Sequence, residues 1–189
     1  MKLKIDWRYI SFRKYLSLFF IEKYKDKVYW EDISEYQVLS EQFIEKYSDK
    51  VKWFSISRFQ KLSEPFIEKH REKLYSWYIS QYQNLSESFM EKHNEYIDWE
   101  DISRFQKFSE QFIEKHSDKL YWFYICKYQK LSESFIEKYS DKVDWIQISE
   151  FQELTETFIE KHIDKFKWYR VSRYQNLSEP FRKKYKYKL

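Results

Sequence analysis

The chain has 189 residues, 23% aromatic and 35% charged, and a formal net charge of +4. It contains no Gly, no Ala, two Pro and one Cys, which excludes Gly-rich phosphate loops, the G-x-S-x-G nucleophile elbow and an internal disulfide framework. The aromatic content excludes a disordered chain, and no apolar run approaches the roughly 18 residues of a membrane span.

The first apolar stretch, Tyr15 to Ile21, superficially resembles a signal-peptide core. It is short, follows several charges and lacks a small-residue cleavage site. It also falls in register with a repeat. Ile5, Val28, Val51, Leu74, Ile97, Leu120, Val143 and Phe166 are each 23 residues apart. Taking these as column 1, eight copies run over 5–27, 28–50, 51–73, 74–96, 97–119, 120–142, 143–165 and 166–188. Column 3 is Trp in seven of them; in the fourth it is Ser76, with Trp77 one place late. Ile79 keeps the spacing of Ile56 and Ile102, so Trp77 is displaced within an unbroken period.

The third copy shows what each unit contains. Its first half predicts a helix from about Val51 to Gln60, with Trp53, Ile56, Ser57 and Gln60 on one face. Asp49 is a candidate cap, and Asp6, Asp98 and Asp144 offer an alternative one column before the Trp. The second half predicts a helix capped by Ser63, with Glu64 in the first turn and Leu62 and Ile67 placed as a hydrophobic staple. Pro65 and Pro180 share a first-turn column, where a missing N–H costs little. Helices of roughly 8 to 10 residues do not persist alone in water, so neighbouring copies must stack. The expected fold is an all-α solenoid of eight helix-turn-helix repeats forming a superhelix, one repeat domain over 1–189 with its first and last copies as caps. Ser57 reads as a small spacer, and Gln60 as a structural hydrogen-bonder to a turn or to the next unit.

Catalytic chemistry finds little purchase. His70, His93, His116 and His162 share column 20, where other copies carry Tyr, which suits a packing residue rather than a ligand or base. Glu64 and Glu68 lie one turn apart, but six equivalent pairs read as a solvated face. Ser63 is occupied as a cap, and Cys126 replaces a recurring Ser as a small buried thiol. No catalytic residue, metal site or cofactor is expected, and the chain reads as non-enzymatic.

The freedom lies elsewhere. Columns 4, 8 and 11 vary and follow helical spacing, so they predict one exposed stripe on the first helix. Column 4 offers Phe54, Trp77, Phe123 and Tyr169; column 8 offers Arg58, Gln81, Arg104, Lys127 and Arg173. Aromatics beside Arg are characteristic of protein-interface anchors, so a protein partner is the leading expectation. Charge supplies the alternative. Residues 1–27 carry a net +5 and residues 166–189 a net +7, leaving −8 on residues 28–165. The acidic centre disfavours nucleic acid along the whole array, since such a groove must be basic. The basic ends, with Arg182, Lys183, Lys184, Lys186 and Lys188 in the tail, still offer a contact to phosphate or an anionic surface. A self-assembling structural protein is a third reading.

The phrase Asp49, Val51, Trp53, Ile56, Ser57, Gln60, Leu62, Ser63, Glu64, Phe66, Ile67, Glu68, Lys69 resembles short tandem repeats in predicted proteins of giant amoeba-infecting DNA viruses. The resemblance covers all eight copies, less closely in the first and after Phe181. It implies a viral interaction protein in the host cell and no activity or catalytic residue. With the single cysteine, it points to a reducing intracellular compartment, the host cytoplasm, rather than secretion.

Overall fold

A computed structural model describes residues 5–13 and 15–188. They form sixteen α-helices and no strand, a helical-repeat solenoid in which each copy contributes one pair. The chain divides into two compact halves, 1–98 and 99–189. The first half holds α1 (Trp7–Phe12), α2 (Leu18–Lys23), α3 (Trp30–Tyr36), α4 (Glu41–Lys46), α5 (Trp53–Phe59), α6 (Glu64–His70), α7 (Ser76–Tyr82) and α8 (Glu87–Lys92). The second holds α9 (Trp99–Phe105), α10 (Glu110–Lys115), α11 (Trp122–Tyr128), α12 (Glu133–Lys138), α13 (Trp145–Phe151), α14 (Glu156–Lys161), α15 (Trp168–Tyr174) and α16 (Glu179–Lys184). The first helices of neighbouring copies pack directly on one another within each half, α3 on α5 and α13 on α15 among them.

The helices have six or seven residues, shorter than the 8 to 10 expected; in the first helix, backbone groups at the start bond to the preceding copy and carbonyls at the end to the next one, through Gln83. Lys52 is extended, and its N–H donates to Ser34 Oγ at 2.9 Å. Gln60, expected as the last helical residue, is the extended C-cap. Asp49 does not cap: it lies in the turn before α5, and the column before the Trp is the capping position. Asp6 and Asp144 accept there from helix N–H groups, whereas Tyr29, Lys52, Tyr75, Tyr121 and Lys167 make no side-chain cap. The second helices begin as predicted. Ser40 accepts from Phe43 N at 3.2 Å and Thr155 from Phe158 N at 3.2 Å, and Pro65 and Pro180 sit in first turns. Turns without Gly are built almost wholly at negative φ; among the described residues Tyr15, at φ 77°, is the exception.

Each pair in the six inner copies closes over two fully buried side chains, Ile56 and Ile67 in the third copy, both at 0% exposure. Leu62, Phe66 and Val51 are buried with them. A large apolar side chain contributes about 1.5–3 kcal/mol when removed from water, but six-residue helices have too few of them to stand alone. Hydrogen bonds between copies complete the structure. Gln60 reaches back to the preceding copy: Nε2 donates to Ser34 O at 3.0 Å and Gln37 O at 2.7 Å, and Oε1 accepts from Leu39 N at 3.0 Å. Gln83, Gln152 and Gln175 repeat this triple bond. It satisfies buried backbone groups that an extended segment would otherwise leave unpaired.

Ser57 is more than a spacer. Its hydroxyl donates to Trp53 O at 2.7 Å and accepts from Tyr75 N of the next copy at 3.0 Å. The Cys126 thiol takes the corresponding N–H, from Asp144, at 3.3 Å. The glutamates expected on a solvated face also bridge copies. Glu41 accepts from Ser63 N at 2.6 Å and Ser63 Oγ at 3.0 Å, and Glu45 pairs with Lys69 at 2.7 Å.

Candidate functional site

A seven-residue helix with Ile56 and Ser57 turned inward at 100° per residue turns columns 4 and 8 outward, while column 5 ranges from buried at Ser55 and Gln147 to half-buried at Tyr78 and Tyr124. Column 11 cannot join them, because Lys61 follows the extended Gln60 and lies beyond the helix. The expected stripe is therefore corrected: columns 4 and 8 are joined by columns 5 and 9, which carry Tyr78 and Tyr82 in the fourth copy.

In the first half these positions meet. Phe54, 43% exposed, packs edge-on against Tyr75 at 5.7 Å and Tyr78 at 5.0 Å between ring centroids. Trp77, 47% exposed, touches Tyr75 at 5.3 Å and Tyr78 at 5.6 Å. The Arg58 guanidinium lies over Phe59, Tyr78 and Tyr82, at 4.9, 5.5 and 5.9 Å. Phe54, Arg58 and Trp77 thus belong to one surface cluster spanning α5 and α7. Gln81 sits one turn after Trp77 on α7, half-buried.

The second half has a counterpart. Arg104 lies over Phe105 at 4.9 Å and Tyr124 at 5.7 Å. Phe123 packs on Tyr124 at 5.3 Å, and the Lys127 ammonium lies 6.0 Å from Phe123, 5.2 Å from Tyr128 and 5.1 Å from Phe151. Tyr169 and Arg173 stand apart from this group. Tyr169 accepts from Arg170 Nε at 2.8 Å, and Arg173 lies over Tyr174. Column 9 lies outside the expected stripe. Phe59, Tyr82, Phe105 and Phe151 are all exposed. An aromatic recurs there in seven copies, but its i+3 spacing from the Ile56 column gave no sign that it faces outward.

The fourth copy departs from its neighbours here. The indoles of Trp30, Trp53, Trp122, Trp145 and Trp168 donate to the carbonyl five residues back, Trp53 to Ser48 O at 3.0 Å, and Trp53 packs on Phe66 and His70 of its own second helix. A lysine covers it, Lys73 at 5.1 Å from Trp53. With Ser76 in that column, Phe89 pairs with His93 without an indole, and Tyr96 replaces the covering lysine. Burial pushes the Tyr96 phenol up to about 12. Among the described residues its hydroxyl has no hydrogen-bond partner, nor has His93 Nε2, a state His162 Nε2 shares in the seventh copy.

The remaining chemistry-bearing groups belong to the stack. His70 Nε2 lies 3.0 Å from Glu45 of the preceding copy, and Tyr47 donates to Glu22 at 3.1 Å, which explains how one column accepts either residue. Burial raises the Cys126 thiol to about 12, far from the thiolate that reactivity requires. Among the described residues no three His, Cys, Asp or Glu side chains are grouped to hold a metal, and no helix is long and apolar enough to cross a membrane. In the basic tail, Lys183 pairs with Glu179 and Lys184 with Glu160, each at 2.8 Å. Arg182 donates to Leu177 O, Lys188 lies over Trp168 and Lys186 over Tyr187. No protein-family model, curated protein or solved structure matches the chain.

Proposed function

We propose that this chain is a non-catalytic scaffold that binds another protein through the exposed face of its first helices. The observation that carries the reading is the contact between Phe54, Tyr75, Trp77 and Tyr78 at the surface, with Arg58 laid across its edge. Aromatic rings and arginine supply most of the binding energy at protein interfaces. Large rings gathered on a surface, rather than scattered singly, mark such sites. The tail supports its alternative less well, because Lys183, Lys184 and Lys188 already have partners within the fold. The viral resemblance and the single cysteine favour the host cytoplasm as the setting.

The test is recovery of a partner from expressing cells by the tagged chain and by a variant carrying Phe54→Ser, Trp77→Ser and Phe123→Ser. All three side chains are more than 40% exposed, so helicity by circular dichroism should be retained while partner recovery is lost. Recovery equal to that of the parent chain would sink the proposal.

A further inference from the structure

In the second half, the segments that follow the first helices of three successive copies enclose a groove of about 490 Å³. That lies within the roughly 300–1,000 Å³ of ligand clefts. Lys107, Lys127 and Lys130 line it with Tyr128 and Phe151, opposed by a single carboxylate, Glu153. We propose that this groove receives an acidic segment of the partner protein; the inference rests on the scaffold reading and adds the partner's chemistry.

The lysines differ from those of the stack. Lys138 and Lys142 are paired with Glu114 and Asp118 of the preceding copy, at 2.5 and 2.7 Å. None of the three groove lysines has a carboxylate partner among the described residues. Lys107 donates to Tyr128 O at 2.6 Å, which leaves two of its three N–H groups free. Lys127 is held by Tyr128 and Phe151, 5.2 and 5.1 Å from their ring centroids, and Lys130 is exposed. The groove thus carries two net positive charges inside a stretch, 28–165, whose net charge is −8. Carboxylates entering it would meet three ammoniums otherwise served only by water, one carbonyl and ring faces. A nucleotide fits less well, because Lys127 already lies over the two rings on which a base would stack. Two copies earlier the four positions are Lys61, Gln81, Asn84 and Lys107, so the net charge recurs along the repeat while the set of three lysines opposed by one carboxylate is particular to this groove.

The experiment is fluorescence anisotropy on the full chain with a labelled short peptide of alternating glutamate and phenylalanine. A lysine–phenylalanine peptide and single-stranded oligothymidylate serve as comparisons. The acidic peptide should bind, weaken with salt, and lose about tenfold or more in affinity in the Lys107→Glu, Lys127→Glu, Lys130→Glu variant. Lys61→Glu, at an exposed lysine outside the groove, should leave that binding unchanged. Should charge reversal disturb helicity, the corresponding three glutamine substitutions carry the test and should still weaken binding. Equal binding of the two peptides, undiminished binding by the folded variant, or tighter oligothymidylate binding lost with the same lysines would each overturn the proposal. If the acidic peptide fails while partner recovery still depends on Phe54, Trp77 and Phe123, only the groove assignment falls. If recovery does not depend on them, the scaffold reading itself falls.

Discussion

The third and fourth copies share one stack and differ at the column that holds the indole. Trp53 is built into the scaffold: it donates to Ser48 O, packs on Phe66 and His70, and lies under Lys73. One copy later the tryptophan sits on the surface as Trp77, and the vacated column is served by Ser76 and Tyr96. The change has a cost within the fold. Among the described residues the Tyr96 hydroxyl is left buried without a hydrogen-bond partner, worth about 1–3 kcal/mol. A packing position given up for an exposed ring beside Phe54 and Tyr78 is hard to account for by packing. The proposed partner contact would account for it.

The sharpest way to break the comparison is to impose the fourth copy's residue on the third. Trp53→Ser should destabilise the first half by about 3–5 kcal/mol, the range for emptying a large aromatic site. Urea denaturation followed by circular dichroism measures it. Adding Lys73→Tyr, which reproduces the Ser76 and Tyr96 pair, should return about 1 kcal/mol of that loss. If the double variant is no more stable than the single one, Tyr96 does not compensate for the missing indole.

Next in size is the amide that both copies retain. Gln60→Ala removes three hydrogen bonds and strands Ser34 O, Gln37 O and Leu39 N away from water. The expected loss is about 2–3 kcal/mol by the same titration, with amide exchange accelerating first at Leu39. A loss well below about 1 kcal/mol would mean that water replaces the side chain.

Much of this architecture was legible in the sequence because its residues carry local mechanisms. The 23-residue period, the Ser63 cap and the first-turn prolines each follow from chemistry within a few positions of chain. What could not be read were the targets of groups that bond at a distance. Gln60 bonds to residues 21 to 26 positions earlier, Ser57 to one 18 later, and Glu41 to one 22 later. A period shows that copies repeat, but not which face of one meets the next. The same gap misplaced the stripe: column 11 continues a helical pattern on paper, whereas Gln60, drawn to the preceding copy, ends the helix first. Column 9 was missed because a recurring aromatic reads as core until burial is known.

Acid should loosen the stack in both copies. Glu22, Glu45, Glu68, Glu137 and Glu160 are held below the usual carboxylate value of 4.5, chiefly by hydrogen bonds from the next copy's lysine. A carboxylate with a depressed folded-state pKa stabilises fully above its unfolded value, and that contribution disappears as pH falls through the folded value. The melting temperature should therefore hold steady above about pH 5 and fall below 4.5, less steeply in high salt. A melting temperature that is flat down to pH 3 would remove these pairs from the account.

The smallest effect on stability is expected at Trp77, and its smallness is the informative part. Among the described residues the ring makes ring contacts with Tyr75 and Tyr78 alone and donates no hydrogen bond, and it is nearly half exposed. Trp77→Ser should shift the denaturation midpoint by no more than about 0.5 kcal/mol, against several for the same substitution one copy earlier. Partner recovery should respond the other way, falling with Trp77→Ser. Two tryptophans 24 positions apart would then divide the labour between them, one holding the stack and the other meeting the partner. If Trp77→Ser destabilised the chain as much as Trp53→Ser, the displaced ring would be scaffold after all, and the surface cluster would lose its strongest claim to function.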